Sequence, residues 1–111
     1  MFDIINEIQD TYEELRRAVN MLAERGREKA KAEQDYRVIL KQESLKLKSE
    51  GMSVTLIDKV VYGYDEVAEA RFKRDVAEVM YTNALERINM LKLRLRILDE
   101  QASREWHNGQ E

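Results

Sequence analysis

The chain has 111 residues, with no Cys and no Pro, and 37% of its residues are charged against 43% hydrophobic. About half of the residues are Ala, Glu, Lys, Leu or Arg, a composition typical of long helices and coiled coils. The absence of Cys excludes disulfides and Cys-bound metals, and no apolar run reaches the ~18 residues that a membrane span needs. We therefore expect a single all-α domain over residues 1–111, in the cytoplasm and not in a membrane.

The first predicted element is a long helix over about residues 3–48. Its apolar residues recur at steps of three and four, which is the spacing of one helix face. They form the seam Ile5, Ile8, Tyr12, Leu15, Val19 and Leu22. Gly26 takes the next position of this seam, and a helical Gly costs about 1 kcal/mol relative to Ala. We interpret Gly26 as either a point of close backbone approach or a bend.

A short connector follows over residues 49–64. Gly51 is expected to end the first helix, because Gly readily adopts the conformation of a C-terminal cap. Residues 54–62 are rich in β-branched side chains, which suit a strand as well as a helix. A lone strand has no pairing partner in this chain, so we predict a short helix, capped by Ser53 or Thr55.

A second long helix is predicted over about residues 65–106, with Asp65 as its N-terminal cap. Its apolar residues form two seams, both at steps of four and three, about 140° apart around the helix. The first seam is Ala77, Tyr81, Ala84, Ile88, Leu91, Leu95, Leu98 and Ala102. The second seam is Phe72, Val76, Val79, Asn83, Glu86, Met90, Leu93 and Ile97.

These elements predict an antiparallel, coiled-coil-like hairpin of two long helices joined by a short helix. One seam of the second long helix faces the first helix, and the other needs another partner. We therefore expect self-association into a helical bundle, most simply a dimer, with Asn83 fixing the register. The predicted interface is Phe72, Val76, Val79, Asn83, Met90, Leu93 and Ile97. The alternative is that the short helix and the polar half of the first helix fold back over this seam.

Basic residues and tyrosines cluster towards the connector. They could neutralise phosphates and stack on bases, as in single-strand binding proteins. The candidate contacts with nucleic acid or another partner are Lys59, Tyr62, Tyr64, Arg71, Lys73 and Arg74. The competing interpretation is a solvated face with acidic partners close by in the helix, which a predicted pI of 5.3 favours.

Enzymatic motifs are absent from the sequence: it has no Gly-rich phosphate loop, no His-Glu-x-x-His pair and no nucleophile elbow. We expect no catalytic residues, no cofactor and no bound metal. A minor alternative is a Mg²⁺-dependent nucleotide hydrolase that uses acidic side chains spaced three apart on one helix face. Its candidate residues are Glu66, Glu69, Asp75 and Glu78.

Trp106 has two interpretations. It prolongs the first seam of the second long helix, so we expect it to pack against residues 1–5 and close that end of the hairpin. If it protrudes, it is instead an anchor for a partner.

Several stretches resemble short helical proteins encoded in the early or recombination regions of phages and prophages of Gram-positive bacteria. They are Arg25-Gly26, the run 32–37 (AEQDYR), Val67-Ala68-Glu69, the run 71–78 (RFKRDVAE), Ile88-Asn89 and Arg104-Glu105-Trp106. That family has no assigned reaction, so the resemblance implies an accessory role in the host cytoplasm and no catalytic residues.

The combined prediction is a non-enzymatic helical interaction or adaptor protein, a homo-oligomer that binds an unidentified host or phage protein. The alternative is a nucleic-acid-binding accessory factor of phage replication or recombination.

Overall fold

The computed structural model describes residues 2–110, apart from the side chains of Phe2 and Gln110, and within that range it is helical with no strand. Helix α1 spans Phe2–Ser49, helix α2 spans Val54–Val60, and helix α3 spans Asp65–Gln110. A 3₁₀ turn over Val61–Gly63 joins α2 to α3. The all-α prediction and the antiparallel pairing of two long helices are confirmed, and residues 54–60 are helix rather than strand.

The end of α1 is fixed by a glycine cap. Gly51 has φ +92°, in the left-handed region that side chains avoid. The Gly51 amide donates to the Lys48 carbonyl at 3.0 Å, and the Met52 amide donates to the Leu47 carbonyl at 3.1 Å. This pattern is a Schellman motif, which satisfies the last carbonyl groups of the helix and turns the chain.

The start of each later helix is also defined by backbone and side-chain bonds. The Ser53 hydroxyl accepts a hydrogen bond from the Leu56 amide at 3.3 Å, so Ser53 rather than Thr55 caps α2. The Ala68 amide donates to the Tyr64 carbonyl at 2.9 Å. Asp65 therefore lies in the first turn of α3, where its charge favours the helix dipole, and the prediction that it is the cap residue is wrong.

The chain forms two compact units. Among the described residues, unit 1 combines residues 2–24 with residues 82–110, and unit 2 is the continuous segment Arg25–Tyr81. The prediction of one helical domain over 1–111 stays a prediction.

Unit 2 has a core in which both long helices and the connector take part. Ile57 of α2 and Val61 of the 3₁₀ turn are buried together with residues of α1 and α3. The other buried members are Tyr36, Leu47, Val67 and Ala70. The connector is therefore a packed part of unit 2.

Unit 1 is a two-helix pair. The α3 residues Ile88 and Leu91 pack against Ala18 of α1, with Leu15 and Leu22 beside them. Leu95 and Leu98 are buried further along α3. The first α3 seam is confirmed as the face that packs against α1.

The buried face of α1 differs in part from the predicted seam. Ile5, Tyr12 and Val19 are exposed, whereas the residue directly before each of them in the chain is buried. Those buried neighbours are Ile4, Thr11 and Ala18. The Thr11 hydroxyl donates to the Glu7 carbonyl at 2.7 Å, so this fully buried side chain has its polar group satisfied.

Gly26 lies inside an unbroken α-helix. The atoms nearest to a Cβ placed there belong to the Tyr81 ring, at 3.6 and 3.9 Å, and not to a neighbouring backbone. The interpretation that Gly26 admits a close backbone is therefore wrong.

Candidate interaction surface

The second α3 seam is exposed in unit 2. Phe72, Val76 and Val79 follow one another at steps of four and three, and their side chains are 68%, 43% and 57% exposed. We call this group the 72–79 patch. It is exposed because α1 and the connector pack on the other face of α3, around Val67 and Ala70.

The same seam is exposed in unit 1. Met90 is 70% exposed, and Leu93 and Ile97 are about half exposed. We call this group the 90–97 patch. Asn83 is also exposed, and it lines a surface depression of about 560 Å³ that includes Met90. Within unit 1, α1 covers the opposite face of α3 and leaves this patch open.

The fold-back alternative is wrong. It requires α2 and the polar half of α1 to cover the second seam of α3. Instead, α2 inserts Ile57 into the core of unit 2, and the polar half of α1 contributes Tyr36 to that same core. The predicted interface residues are thus exposed in the single chain, and their contact with a second copy stays a prediction.

The 90–97 patch is flanked by basic and acidic side chains. Glu14 of α1 is shared by two arginines of α3, with Arg87 Nη2 at 3.7 Å and Arg94 Nη1 at 3.9 Å from its Oε2 atom. Residues 87–98 contain four basic side chains and no acidic one. Glu86 lines the same surface depression as Met90 and Arg94, and Glu100 follows Ile97 by three residues, so the charges around the patch are mixed.

The predicted nucleic-acid contacts lie in unit 2 among acidic and aromatic groups. Lys73 forms an ion pair with Glu69 at 3.2 Å. The Arg71 guanidinium lies over the Tyr62 ring at 5.7 Å. Lys59 is in the last turn of α2, and Tyr62 and Tyr64 are exposed around the 3₁₀ turn.

Arg74 is held most firmly of these cations. Two of its nitrogens donate to Asp75 Oδ1 at 3.0 and 3.2 Å, Glu33 lies at 3.9 Å, and the Tyr36 ring centroid lies 4.4 Å from the guanidinium. The hydrogen bond to Asp75 raises the pKa of Arg74 above its ordinary value. Several of the predicted contacts are thus engaged within the chain, and nucleic-acid binding by them stays a prediction.

The acidic residues considered for Mg²⁺ lie on α3 as two pairs spaced three residues apart, Glu66 with Glu69 and Asp75 with Glu78. Over residues 2–110, no group of three or more Asp, Glu or His side chains is arranged to hold a metal ion. Glu69 and Asp75 are paired with Lys73 and Arg74 instead. His107 is exposed in the last turn of α3.

No family model, no curated protein and no solved structure matches this chain. No helix in the described range combines the length and the apolar character needed to cross a membrane.

Two further surface features are the side chain of Trp106 and a groove in unit 2. Trp106 is 59% exposed. Met1 and the side chain of Phe2, against which it is predicted to pack, lie outside the described residues, so the closure of the hairpin end stays a prediction. Unit 2 also has an open groove of about 710 Å³ that includes Val38 and Ile39. Val38 lies off the steps of three and four that lead from Tyr36 to Ile39 and Leu40, and this extra apolar residue is the signal that could have indicated the groove.

Proposed function

We propose that this chain is a non-enzymatic helical interaction protein that acts as a homo-oligomer, most simply a dimer. The observation that supports this proposal is the exposure of the 72–79 and 90–97 patches. Soluble chains rarely leave regularly spaced large apolar side chains exposed along a helix unless a partner covers them. A second copy is a partner that is always present at equal concentration.

The free energy that each patch residue contributes to association can be worked out from the fraction of the residue that becomes buried. Full burial of a Val, Leu, Ile, Phe or Met side chain is worth about 1.5–3 kcal/mol, and between 43% and 70% of each patch residue is exposed and remains to be buried. Each residue therefore contributes roughly 1 kcal/mol to association. Such a contribution is large enough for one substitution to shift a dimerisation equilibrium measurably, since 1.4 kcal/mol is about tenfold.

The test is the mass of the full chain in solution, measured by light scattering across a concentration series. Val79→Glu and Leu93→Glu should each shift the equilibrium towards monomer, because a charge cannot be buried without a partner. The chain offers matched controls on α2. Val54 is 61% exposed against 57% for Val79, and Leu56 is 46% exposed against 47% for Leu93.

Val54→Glu and Leu56→Glu should therefore leave the mass unchanged. A monomeric wild-type chain at high concentration would refute the proposal. So would a mass that responds equally to the patch variants and to the α2 controls.

Asn83 provides a separate test of how the interface is specified. A polar residue within an apolar seam fixes register and oligomer number at a cost in stability. Asn83→Leu should raise the melting temperature of the oligomer and broaden its mass distribution. A single unchanged mass with no gain in stability would show that Asn83 lies outside the contact.

The accessory role in phage or prophage biology, the binding of a host or phage protein and the cytoplasmic location rest on the sequence resemblance alone. The test is a pull-down from lysate of a lysogenic Gram-positive host, with the wild-type chain and the monomeric patch variants as parallel baits. A partner retained by the wild type and lost by the patch variants supports an adaptor that acts as an oligomer. Identical captures by both baits count against it.

A further inference from the structure

The second seam of α3 has the same order of apolar and polar residues from either end. α3 is one uninterrupted helix, and the seam follows it in alternating steps of four and three. The two polar members, Asn83 and Glu86, are exposed and occupy the two middle positions. The three apolar residues of the 72–79 patch precede them, and the three of the 90–97 patch follow them. A seam with this symmetry can pair with a second copy of itself.

In an antiparallel pair of α3 helices, the two-fold axis lies level with the peptide bond between residues 84 and 85. Each residue of one copy then faces the residue at the same distance from this axis in the other copy, and every contact is made twice. Each apolar residue of the seam meets an apolar residue, and Asn83 meets Glu86. The apolar pairs are Phe72 with Ile97, Val76 with Leu93, and Val79 with Met90.

The two central residues favour this orientation and this register. The Asn83 amide can donate to the Glu86 carboxylate of the second copy, in a hydrogen bond strengthened by charge. Parallel helices in register would instead place Glu86 opposite Glu86, and facing like charges oppose association. A slip of the antiparallel helices by one heptad would place the Glu86 carboxylate against Met90 or Val76, where it has no polar partner. The polar pair therefore specifies the arrangement, as a polar residue in an apolar seam commonly does.

The sizes of the apolar side chains favour the same orientation. Val76 and Val79 lie before the centre of the seam, and the longer side chains of Met90 and Leu93 lie after it. Antiparallel pairing matches each valine with a longer side chain, so the two helices can lie at one distance along the contact. Parallel pairing would match valine with valine and methionine with methionine. The methionines would then hold the helices too far apart for the valines to pack.

The structure leaves space at the centre of the seam. Asn83, Glu86 and Met90 line the depression of about 560 Å³ in unit 1. In the antiparallel pair, Val79 of the second copy faces Met90 and lies over this depression. The depression can therefore receive that valine side chain.

Charges outside the seven-residue steps of the apolar seam do not select the arrangement. Basic and acidic side chains lie beside both patches. Glu69 and Glu100 are the next positions at the two ends of the seam, and both are exposed. They face each other in the antiparallel pair, where Lys73 lies 3.2 Å from Glu69 and offsets its charge. In a parallel pair each would face itself, so the selection comes from the seam between them.

We propose that two copies of the chain associate through α3 in antiparallel orientation, with the 72–79 patch of each copy on the 90–97 patch of the other. This inference rests on the proposed self-association and specifies its arrangement. The second copy covers both patches at once, and the Asn83–Glu86 pairs lie at the centre of the contact.

Disulfide trapping provides the first test, because the chain has no Cys of its own. Val79→Cys and Met90→Cys proteins are mixed in a glutathione redox buffer, and the linked dimers are identified by mass spectrometry. The mixed disulfide should exceed the two self-linked dimers together, because residues 79 and 90 face each other. Residue 79 lies about 11 residues from its own copy along the antiparallel helices, or ~16 Å, whereas a disulfide spans about 4.4–6.8 Å between Cα atoms.

The matched control is Val54→Cys, which replaces an exposed valine of α2 away from the seam. Mixed with Val79→Cys in place of Met90→Cys, it should give little mixed disulfide. If the chain is dimeric by light scattering and the mixed disulfide of residues 79 and 90 does not exceed the self-linked dimers, the antiparallel arrangement is overturned and self-association stands. A monomeric mass of the wild type would instead remove the proposed function.

Substitution of Asn83 provides the second test, and it needs no cysteine. Asn83→Lys places an ammonium group opposite Glu86 of the second copy, and Asn83→Glu places another carboxylate there. The Lys variant should have a dimer dissociation constant on the order of tenfold lower than the Glu variant, because two facing pairs attract in one dimer and repel in the other. In parallel helices residue 83 faces itself, so the two variants would be weakened alike.

The matched control is the same pair of substitutions at Asn20, an exposed residue of α1. Asn20→Lys and Asn20→Glu should have equal dissociation constants, since this residue lies outside the proposed contact. Circular dichroism establishes that every variant is folded. Equal dissociation constants for the two Asn83 variants would overturn the antiparallel register.

Discussion

Gly26→Ala should stabilise the protein. Gly26 lies in the interior of α1 with helical geometry, so Ala loses less conformational entropy on folding there than Gly does. The helix-propensity difference is about 1 kcal/mol. The new methyl group would lie 3.6 and 3.9 Å from two carbons of the Tyr81 ring, which is ordinary van der Waals contact.

Most of the expected gain in unfolding free energy therefore comes from helix propensity, and the two ring contacts add roughly a few tenths of a kcal/mol. For a chain of 111 residues, 1 kcal/mol corresponds to a rise of about 4 °C in the melting temperature. The cation–π contact of Lys29 with the Tyr81 ring, at 4.9 Å from the centroid, should be preserved. Thermal and urea denaturation followed by circular dichroism at one fixed protein concentration measure the change, because self-association makes stability depend on concentration.

Ala30→Gly is the matched control, since Ala30 lies one turn further along α1 and is exposed. It should lower the free energy of unfolding by about 1 kcal/mol. That loss would show that the stability of the helix responds to backbone entropy in this region. If Gly26→Ala lowers stability while Ala30→Gly behaves as expected, the Tyr81 ring cannot accommodate a methyl group and the reasoning from these distances is refuted.

Three further outcomes follow from the structure. Gly51→Ala should cost about 1 kcal/mol or more in unfolding free energy measured by urea denaturation, because its φ of +92° strains any side chain; an unchanged midpoint would contradict this. Leu91→Ala should cost about 2–5 kcal/mol by the same assay, because Leu91 is buried against Ala18 and its loss leaves a cavity; a cost below 1 kcal/mol would show that the two helices close the gap. The Arg16 guanidinium, by its hydrogen bond and then its charge, lowers the pKa of Glu13, so Arg16→Gln should raise that pKa in an NMR titration. At pH values above the ordinary pKa of Glu, the ion pair stabilises the fold, and this stabilisation is lost as the pH falls through the lowered pKa of Glu13. If the Glu13 pKa is the same in the variant as in the wild type, the contact with Arg16 does not lower it.

The elements of the fold could be predicted because local signals agree with one another. The absence of Pro, the glycine near the end of the first helix and the steps of three and four determine the two long helices and the turn between them. The first α3 seam could also be predicted, because its large aliphatic residues recur without interruption. These signals depend on backbone propensity and side-chain periodicity, which are properties of short stretches of sequence.

The buried face of α1 could be predicted only in part, because hydrophobicity favours large side chains whereas close packing of two helices favours small ones. Tyr12 and Val19 are the more apolar choices, yet Thr11 and Ala18 are buried. Thr11 can take a core position because its hydroxyl bonds to the Glu7 carbonyl. The packing of Ala18 against Ile88 and Leu91 depends on the partner helix, and the periodicity of α1 carries no information about that helix.

Only the part of the candidate surface that lies on α3 could be predicted from the sequence. The two patches lie on one regular seam, so the sequence identifies them. The groove combines Val38 of α1 with Ala70 of α3, which are far apart in the chain, and its acidic rim comes from both helices. Such a surface exists only once the hairpin has formed.

The division into two units has a consequence for how the chain folds. Unit 2 is one uninterrupted segment, so the loop that must close to bring its two long helices together is short and costs little entropy. Unit 1 joins the beginning of the chain to its end, and the entropy cost of bringing those segments together falls once the intervening hairpin is in place. Folding should therefore start at the connector, with Ile57 and Val61 in the folding nucleus. The pairing of α1 with α3 should then extend from the connector towards the two termini.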